Sequence, residues 1–291
     1  MKKILAIVLC ACMICALLAG CGSSESPAAA VEGDVLKIGI FEPATGENGA
    51  GGMQEVLGAR YANKVVPSVT VNGKEYKIEL VEVDNQSDKT AAVTAAQNLV
   101  SSGVIAVIGS YGSGVSIAAG STFEQAKIPA VGGSCTNPQV TLGNDYYFRV
   151  CFLDPFQGSV MANFAKDEFS ASNAYVLSML GEDYGSGLAT YFVNAFEDLG
   201  GTVTSEQFPE GTSDFSAYIQ NAINAGADVI FAPCATTYAA QIITQAASAG
   251  FDKPITAGDT WESSVILDAQ KGTSVQVYCS TFFDENDDSG A

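Results

Sequence analysis

The chain has 291 residues, of which 47% are apolar, 13 are basic and 32 are acidic, and it contains no histidine. Its length is sufficient for two ordinary domains. The formal charge of -19 at pH 7 argues against a nucleic-acid partner, because contacts to phosphates need Lys and Arg. The absence of histidine excludes His-based catalytic triads, His metal sites and His pH switches.

Residues 1–20 have the features of a secretory signal peptide, with two lysines, an apolar run and small residues at the cut. The apolar run is at the short end for a membrane span, and a plain signal or an anchor helix is the alternative. The run ends in "LAGC", which is typical of a bacterial lipobox, so Cys21 is expected to carry a lipid. Residues 21–34 are small, polar and without pattern, which predicts a flexible tether. We therefore expect an extracytoplasmic protein tethered to the bacterial membrane, on a Gram-positive surface or in a Gram-negative periplasm.

Four cysteines follow the tether, at Cys135, Cys151, Cys234 and Cys279. The expected compartment permits disulfides. Their wide spacing, however, indicates neither a dense disulfide framework nor a CxxC site. We predict four small packed residues and leave a bridge between any two of them open.

From residue 35 onward, short apolar segments bounded by Gly or Pro alternate with longer amphipathic segments. The short segments are predicted strands and lie at 35–41, 76–84, 104–109, 127–133, 146–152, 173–180, 201–209, 227–233, 253–259 and 274–280. The longer ones are predicted helices and lie at 53–66, 88–102, 116–126, 156–169, 185–200, 214–226 and 238–250. This alternation is typical of βα units with parallel sheets, and the apolar strands indicate sheets that are covered on both faces.

The predicted strands are divided between two α/β lobes. We place lobe 1 at residues 35–151 and lobe 2 at residues 152–280. Asp154 and Pro155 mark the break, because they are typical of a helix that opens with an acidic cap and an early proline. A second crossing is expected near Ser280, with residues 281–291 starting the return to lobe 1. One sheet throughout is the alternative.

Polar residues follow several predicted strands, at the edge where ligands bind in open α/β sheets. Ser113 opens a helix, where unpaired backbone N–H groups and the helix dipole favour an anion. Ser134 and Thr136 follow the next strand and would complete a ring around a carboxylate. Asp259 follows a strand of the second half and is a partner for a positive group. Together they indicate a free amino acid as ligand, although a helix cap or a tight turn is the alternative for each residue alone.

Seven stretches carry a family resemblance in their order and spacing: LKIGIFEPATGENGAGG, DNQSDKTAAVTAAQNLVSSGVIAVIGSYGSG, IPAVGGSCTNPQVT, YYFRVCFLDPFQG, GEDYGSG, FSAYIQNAINAGADVIFAP and AGDTWES. From about residue 35 to its end, the chain resembles the type I periplasmic binding proteins of ABC importers, in the branched-chain amino acid binding family. The resemblance implies two Rossmann-like lobes that close on a ligand across a hinged cleft. It also implies a C-terminally incomplete chain, because the family crosses between lobes three times and this chain stops after the second crossing.

The same resemblance implies a role for each site residue. Ser113 and Thr136 would hold the ligand carboxylate, while Ser134 would offer a backbone contact. Asp259 would bind the ammonium group, and Tyr184 would cover the ligand. Asp259 is one methylene shorter than the Glu of the best-known leucine binders, so the ligand or the loop must lie closer.

The side-chain pocket differs from that of the leucine binders. Gly51 and Ala235 stand where those relatives carry aromatic residues that line the pocket. Candidates to refill the space are Tyr111, Glu42 and Trp261. Gly112, beside Tyr111, completes the ligand-binding set. An aromatic, polar or larger ligand is therefore as compatible with this pocket as leucine.

The resemblance implies a monomeric, lipid-anchored substrate-binding protein that does no chemistry, uses no cofactor or metal and delivers an amino acid to an ABC permease. A ligand-sensing receptor domain is one alternative. A secreted hydrolase that uses Asp183 or Asp259 with Ser113 is another, although only a carboxylate is available to activate the serine. The sequence has no P-loop or dinucleotide-loop pattern. "DENDDSG" near the end is predicted to be an acidic turn, because Ser289 stands where a calcium loop needs Gly.

Overall fold

A computed structural model of the chain describes residues 33–283. The predicted signal peptide, Cys21, most of the tether and the acidic turn lie outside the described residues. Within them, no helix is both long enough and apolar enough to cross a membrane.

The described residues form eleven strands and eight helices. The strands are β1 (Val35–Glu42), β2 (Ser68–Val71), β3 (Lys74–Asp84), β4 (Ala106–Ile108), β5 (Ala130–Gly132), β6 (Tyr147–Arg149), β7 (Asn173–Met179), β8 (Thr202–Phe208), β9 (Val229–Phe231), β10 (Ile255–Ala257) and β11 (Val277–Cys279). The helices are α1 (Gly49–Val65), α2 (Lys89–Ser101), α3 (Ser113–Ala126), α4 (Asp154–Phe169), α5 (Asp183–Asp198), α6 (Ser216–Asn224), α7 (Thr236–Ser248) and α8 (Ser264–Gln270). Two short 3₁₀ turns lie at Pro138–Val140 and Asp259–Trp261.

The strands are divided between two sheets, so the alternative of one continuous sheet is wrong. The first sheet has the order β2-β3-β1-β4-β5-β6, and the second has the order β11-β10-β9-β7-β8. All pairs in the second sheet are parallel, and so are all pairs in the first sheet except one. After β6 the chain enters α4, which packs on α5 of the second lobe. The α/β class and the two parallel-sheet lobes that the sequence predicts are confirmed.

The exception is an edge hairpin that the strand prediction missed. β2 runs antiparallel to β3, with Val71 opposite Lys74. The turn between them is Asn72-Gly73, and both residues have positive φ, at 52° and 80°. Asn-Gly is the preferred pair for a two-residue turn of this kind, because both positions need the left-handed region.

Both sheets are buried on their two faces, as apolar parallel strands require. In the first lobe, Phe41 of β1 packs edge-to-face on Phe123 of α3. In the second lobe, Phe231 of β9 stacks on Phe192 of α5, with ring centroids 4.1 Å apart. The opposite face of that sheet holds a separate core that includes Phe208. The strand ends are thereby fixed, and the loops that follow them are held at one edge of each sheet.

The chain passes from the first sheet to the second between Arg149 and Asp154, and the segment that follows β11 lies beside this connection. Whether that second segment returns to the first lobe stays a prediction. Phe152 of the connection stacks on Phe282 of the segment after β11, with ring centroids 4.3 Å apart. The exact division at residues 151 and 152 stays a prediction.

Asp154 does not cap α4, so that part of the sequence interpretation is wrong. Leu153 is the N-cap residue, and no side chain caps this helix end. Asp154 is instead the first helical residue, and its backbone N–H donates to the carbonyl of Thr136. Asp154 is fully buried, with no exposed surface.

Candidate functional site

A narrow cavity of about 20 Å³ lies between the two lobes and adjoins a wider groove of about 890 Å³, with which it shares Tyr111, Ser134 and Asp259. The volume of the groove falls in the range of small-molecule sites. The first lobe contributes Glu47, Asn48, Tyr111, Gly112, Ser113 and Ser134, and the second contributes Glu182, Tyr184, Ala235, Asp259 and Thr260. A molecule bound in this cavity would therefore contact both lobes at once.

The N-terminus of α3 forms one wall. Gly112, which precedes the helix, has a φ of 104°, a conformation that glycine adopts without strain. Ser113 is buried, and its Oγ accepts a hydrogen bond from the backbone N–H of Asn137 at 3.1 Å. Because that bond uses Oγ as acceptor, the hydroxyl proton is free for a ligand. The wall thus offers a hydroxyl donor and the positive end of a fourteen-residue helix.

Ser134 lies on the same wall but has a carboxylate partner. Its hydroxyl donates to Glu55 of α1 at 2.5 Å. The backbone of the loop around Ser134 is therefore the part that can face a ligand, as the family resemblance implies. The sequence reasoning missed Glu55, since the two residues are 79 positions apart and no local pattern connects them.

Thr136 and Glu42 are not at the cavity surface. Thr136 has no exposed surface, and its hydroxyl has no hydrogen-bond partner. Glu42 lies behind Tyr111, whose backbone N–H donates to it at 2.6 Å. Burial raises the pKa of Glu42 well above its ordinary value, and the nearby Glu55 raises it further. Direct ligand contact by either residue stays a prediction, and Glu42 supports the loop before α3.

Arg149 holds the loop that carries Ser134 and Thr136. One guanidinium nitrogen donates to the carbonyls of Cys135 and Asn137, at 2.8 and 2.7 Å. The other donates to the carbonyl of Pro138 at 3.2 Å and to the hydroxyl of Thr141 at 2.7 Å. The last residue of β6 therefore fixes the backbone on which the first lobe's wall depends, and the sequence reasoning gave it no such role.

Asp259 forms the opposite wall and faces the same cavity as Ser113. Its Oδ1 accepts hydrogen bonds from the Tyr184 hydroxyl at 2.9 Å and from the Gln157 amide at 2.6 Å. Both bonds go to one oxygen, so Oδ2 is the atom available to a ligand. Burial raises the pKa of Asp259 well above its ordinary value, and the neighbouring Asp154 adds to the rise. Removing a carboxylate from water has this effect unless a positive charge accompanies it.

Two other carboxyl groups adjoin this wall. Both oxygens of Asp154 are buried without a hydrogen-bond partner, and burial raises its pKa to about 6. Glu182 precedes α5 and accepts the backbone N–H groups of Tyr184 and Gly185. Burial raises the pKa of Glu182 to about 7, although these two hydrogen bonds oppose the rise.

The ring of Tyr111 occupies the space beside Gly51. A Cβ atom on Gly51 would collide with that ring. Trp261 does not refill the pocket, because it is buried in the core of lobe 2 and donates to the Cys234 carbonyl at 3.2 Å. Ala235 leaves its part of the cavity open. Of the three candidates, only Tyr111 lines the cavity.

Three contacts join the lobes around the cavity, and the sequence reasoning identified none of them. The Asn137 side-chain amide donates to the carbonyl of Asp183 at 2.8 Å. Lys89 pairs with the carboxylate of Asp183 at 2.8 Å. The Tyr238 hydroxyl donates to Glu47 across the cleft. These contacts hold the two walls facing each other.

The four predicted packed cysteines are free thiols in the described part of the chain. Cys135 and Cys151 are close neighbours beside the Arg149 loop. This contact raises the pKa of Cys135, with burial adding to the rise, and lowers the pKa of Cys151.

The arrangement is suited to binding rather than to serine chemistry. Among the described residues, the hydrogen bond to Ser113 Oγ comes from a backbone amide and not from a carboxylate or another base. Asp259 is bound to a tyrosine and a glutamine. A nucleophilic serine needs a base within hydrogen-bond reach.

The comparisons with known proteins agree with this geometry. A family model described as periplasmic binding protein matches residues 35–291. The Leu/Ile/Val-binding protein homolog 1 of Brucella suis biovar 1 (strain 1330) is 34% identical over 232 residues, covering 78% of this chain. This chain spans 61% of that relative's length.

Two solved structures have the same fold over most of the described chain. The leucine binding protein LivK from Thermotoga maritima MSB8 is 36% identical with a TM-score of 0.77, covering 82% of this chain and 67% of its own. The branched-chain amino acid substrate binding protein LivJ from Streptococcus pneumoniae, in complex with isoleucine, is 29% identical with a TM-score of 0.75. The alignment with LivJ covers 84% of this chain and 70% of that protein. The chain therefore belongs to the periplasmic binding protein family, and its two parallel-sheet lobes have the type I fold.

Proposed function

We propose that the chain is the substrate-binding protein of an ABC importer and captures a free amino acid, branched-chain or related, between its lobes. The observation that carries the proposal is the single cavity with Ser113 on one wall and Asp259 on the other. Relatives that are named for binding leucine, isoleucine and valine support the same ligand class.

The proposed ligand is held by its α-carboxylate and its α-ammonium. The carboxylate lies at the α3 N-terminus, where the Ser113 hydroxyl and the first backbone N–H groups bind it without a basic side chain. The ammonium lies on Oδ2 of Asp259. Because each lobe binds one charge of the ligand, the ligand stabilises the closed arrangement over an open one, and closure is the proposed means of capture.

Calorimetric titration of the intact protein with a panel of free amino acids tests this proposal. For the best ligand, the methyl ester removes the carboxylate charge and the N-acetyl derivative removes the ammonium charge. Each derivative is expected to bind at least ~30-fold more weakly, because one buried charge loses its partner. Equal binding of either derivative would contradict the assignment of that wall.

We also propose a lipid on Cys21 and delivery of the amino acid to an ABC permease outside the cytoplasm. The sequence of residues 18–21 supports the anchor. Labelling of cells with an alkyne fatty acid should mark the wild-type protein and not the Cys21→Ser variant. Uptake of the bound amino acid should require both this protein and the permease, and a protein that binds the amino acid without supporting uptake would favour the sensor alternative.

A further inference from the structure

The cavity between the lobes has an excess of acidic side chains. Of the described residues that line it, three are carboxylic acids, namely Glu47, Glu182 and Asp259, and none is Lys or Arg. A wider groove that shares Tyr111, Ser134 and Asp259 with the cavity adds two more acids, Glu55 and Glu262, and again no base. A neutral amino acid would bring one positive and one negative charge into this surrounding.

The nearby basic side chains are already engaged elsewhere. Arg149 donates to backbone carbonyls of the loop behind Ser134. Lys89 pairs with Asp183 at the outer edge of the lobe contact, where 53% of its side-chain surface is exposed. The excess of acidic side chains in the cavity is therefore left for the ligand to balance.

Resting on the proposed function, we infer that the bound amino acid carries a second positive charge on its side chain, as lysine, ornithine or arginine does. The α-ammonium uses Asp259, and Glu47, on the other lobe, then receives the side-chain cation. Electrostatic complementarity of this kind selects one ligand over others of the same size.

The position of Glu47 fits this role. It lies in the loop between β1 and α1 and lines the cavity together with Ala235. Its partner Tyr238 is three positions after Ala235, so the space left by that small side chain is next to the Glu47 carboxylate. The rings of Tyr111 and Tyr184 line the same cavity and can cover the aliphatic stem of a long basic side chain. Burial raises the pKa of Glu47, which is the expected state of a carboxylate that lacks its cation.

The apolar lining is small for a branched aliphatic side chain. Ala235 is the only aliphatic side chain among the described residues that line the cavity, and the two tyrosines carry polar groups. A leucine side chain would leave the Glu47 carboxylate without a counter-charge, although the adjoining groove would add apolar contacts with Ala44, Ala50 and Met53. The uncompensated carboxylate favours a cationic side chain.

The test compares matched ligands by calorimetry on the intact protein. L-Norleucine is L-lysine without the side-chain ammonium, and L-citrulline is L-arginine with a neutral urea in place of the guanidinium. We expect the better basic ligand to bind at least ~30-fold more tightly than its neutral match, since it alone pairs with the half-buried Glu47 carboxylate. Glu47→Gln should reduce that ratio at least ~10-fold.

Glu210→Gln is the matched control. Glu210 is exposed and close enough to Glu47 to influence its pKa, but it does not line the cavity. The control variant should leave the lysine-to-norleucine ratio unchanged. The ratio also separates charge recognition from closure, because a general loss of the Glu47–Tyr238 contact weakens both ligands alike.

The outcomes separate this inference from the proposed function. If norleucine or leucine binds as tightly as lysine and arginine do, the inference is overturned while amino-acid capture stands. If the basic ligands bind more tightly but Glu47→Gln leaves the ratio unchanged, the assignment of Glu47 is overturned. If no free amino acid binds, the proposed function fails, and the inference fails with it.

Discussion

Asp259 is the residue on which the proposed ammonium site depends. Asp259→Asn keeps the size of the side chain but removes the charge, while Tyr184 and Gln157 remain in place. Loss of one partner of a buried charge pair costs about 2–5 kcal/mol, so affinity should fall by ~30-fold to several thousandfold. The loss should be similar for every amino acid that binds, because the α-ammonium is common to all. Titration calorimetry with at least two amino acids measures it.

Asp268→Asn is a control for this prediction. Asp268 is exposed on α8 of the same lobe, so the same change of charge is made outside the cavity. Its affinity should stay within about twofold of the wild type, since solvent and salt screen exposed charges. A loss as large in Asp268→Asn as in Asp259→Asn would mean that net charge, and not the site, governs affinity.

Asp154 makes stability depend on pH. Burial raises its pKa from 3.8 to about 6, so the folded protein holds this proton more tightly than the unfolded chain does. The stability linked to that proton is complete below pH 3.8 and is lost as the pH rises through 6. Asp154→Asn removes the cost of burying the charge and should stabilise the ligand-free protein at pH 7.5 by about 3 kcal/mol.

Urea unfolding at pH 7.5 and at pH 4 measures this effect. The difference between Asp154→Asn and the wild type should nearly vanish at pH 4, where Asp154 is protonated in the folded protein. Asp167→Asn, on the exposed side of the same helix, should show no such pH-dependent difference. A stabilisation of Asp154→Asn that is equal at both pH values would rule out the buried charge as its cause.

Sequence reasoning identified the site residues that come directly after a strand and missed those that lie elsewhere in the chain. Ser113 and Asp259 come after β4 and β10, and parallel sheets bring such positions to one edge. Gln157 contacts Asp259 from 102 positions away, in the second turn of a helix. No local sequence pattern predicts this contact, because it depends on how α4 packs against the loop after β10.

The loop from Cys135 to Thr141 depends on one arginine at the end of β6. Arg149→Lys keeps the charge, but a lysine ammonium cannot serve four acceptors spread along a loop as a planar guanidinium does. The loss of about two charge-assisted hydrogen bonds should lower the free energy of unfolding by about 2–4 kcal/mol. Hydrogen exchange in residues 134–141 should become faster, and amino-acid affinity should fall with it.

Arg60→Lys is the matched control, in the same lobe. Arg60 binds Glu82 with two hydrogen bonds, yet half of its side chain is exposed. An exposed ion pair contributes at most about 1 kcal/mol, so this variant should unfold at nearly the wild-type urea concentration. Equal destabilisation by the two substitutions would show that the Arg149 contacts do not organise the loop.

The helices and strands were predicted correctly where the local sequence pattern fits only one type of element. The alternation of strand and helix segments correctly predicted parallel sheets, because short apolar strands bounded by Gly and Pro, with helices between them, are typical of βα units. The Asn72-Gly73 turn was a local signal for the β2 hairpin that the interpretation did not use. The Asp154-Pro155 pair predicted an acidic cap, whereas Leu153 is the N-cap residue and the backbone N–H of Asp154 donates to the Thr136 carbonyl.

At the scale of the whole molecule, function depends on how the two lobes meet. Three side-chain contacts join them around the cavity, and each links residues far apart in the sequence. The family resemblance predicts that the lobes close, but only the structure identifies the side chains that join them. Of the two contacts at Asp183, the hydrogen bond from the Asn137 side-chain amide is the more shielded, because it is partly buried.

Asn137→Asp tests that contact with little change elsewhere. The Oδ1 atom that accepts the backbone N–H of Gln139 is retained, while the donor to the Asp183 carbonyl becomes a charged oxygen. One lost hydrogen bond with added repulsion should weaken amino-acid binding by ~5- to 30-fold. Because the contact forms only when the lobes meet, the dissociation rate should carry most of the change. Stopped-flow dissociation and small-angle scattering at saturating ligand measure the rate and the compaction.

Lys89→Gln removes the other contact to Asp183, and its effect on affinity is compared with that of Asn137→Asp. More than half of the Lys89 side chain is exposed, so this ion pair should contribute less than about 1 kcal/mol to closure. Its affinity should fall by less than about fivefold, and raising the salt concentration should reduce even that difference. If Lys89→Gln slows closure or speeds ligand release more than Asn137→Asp does, charge at the rim, and not the shielded amide, governs how the lobes are held together.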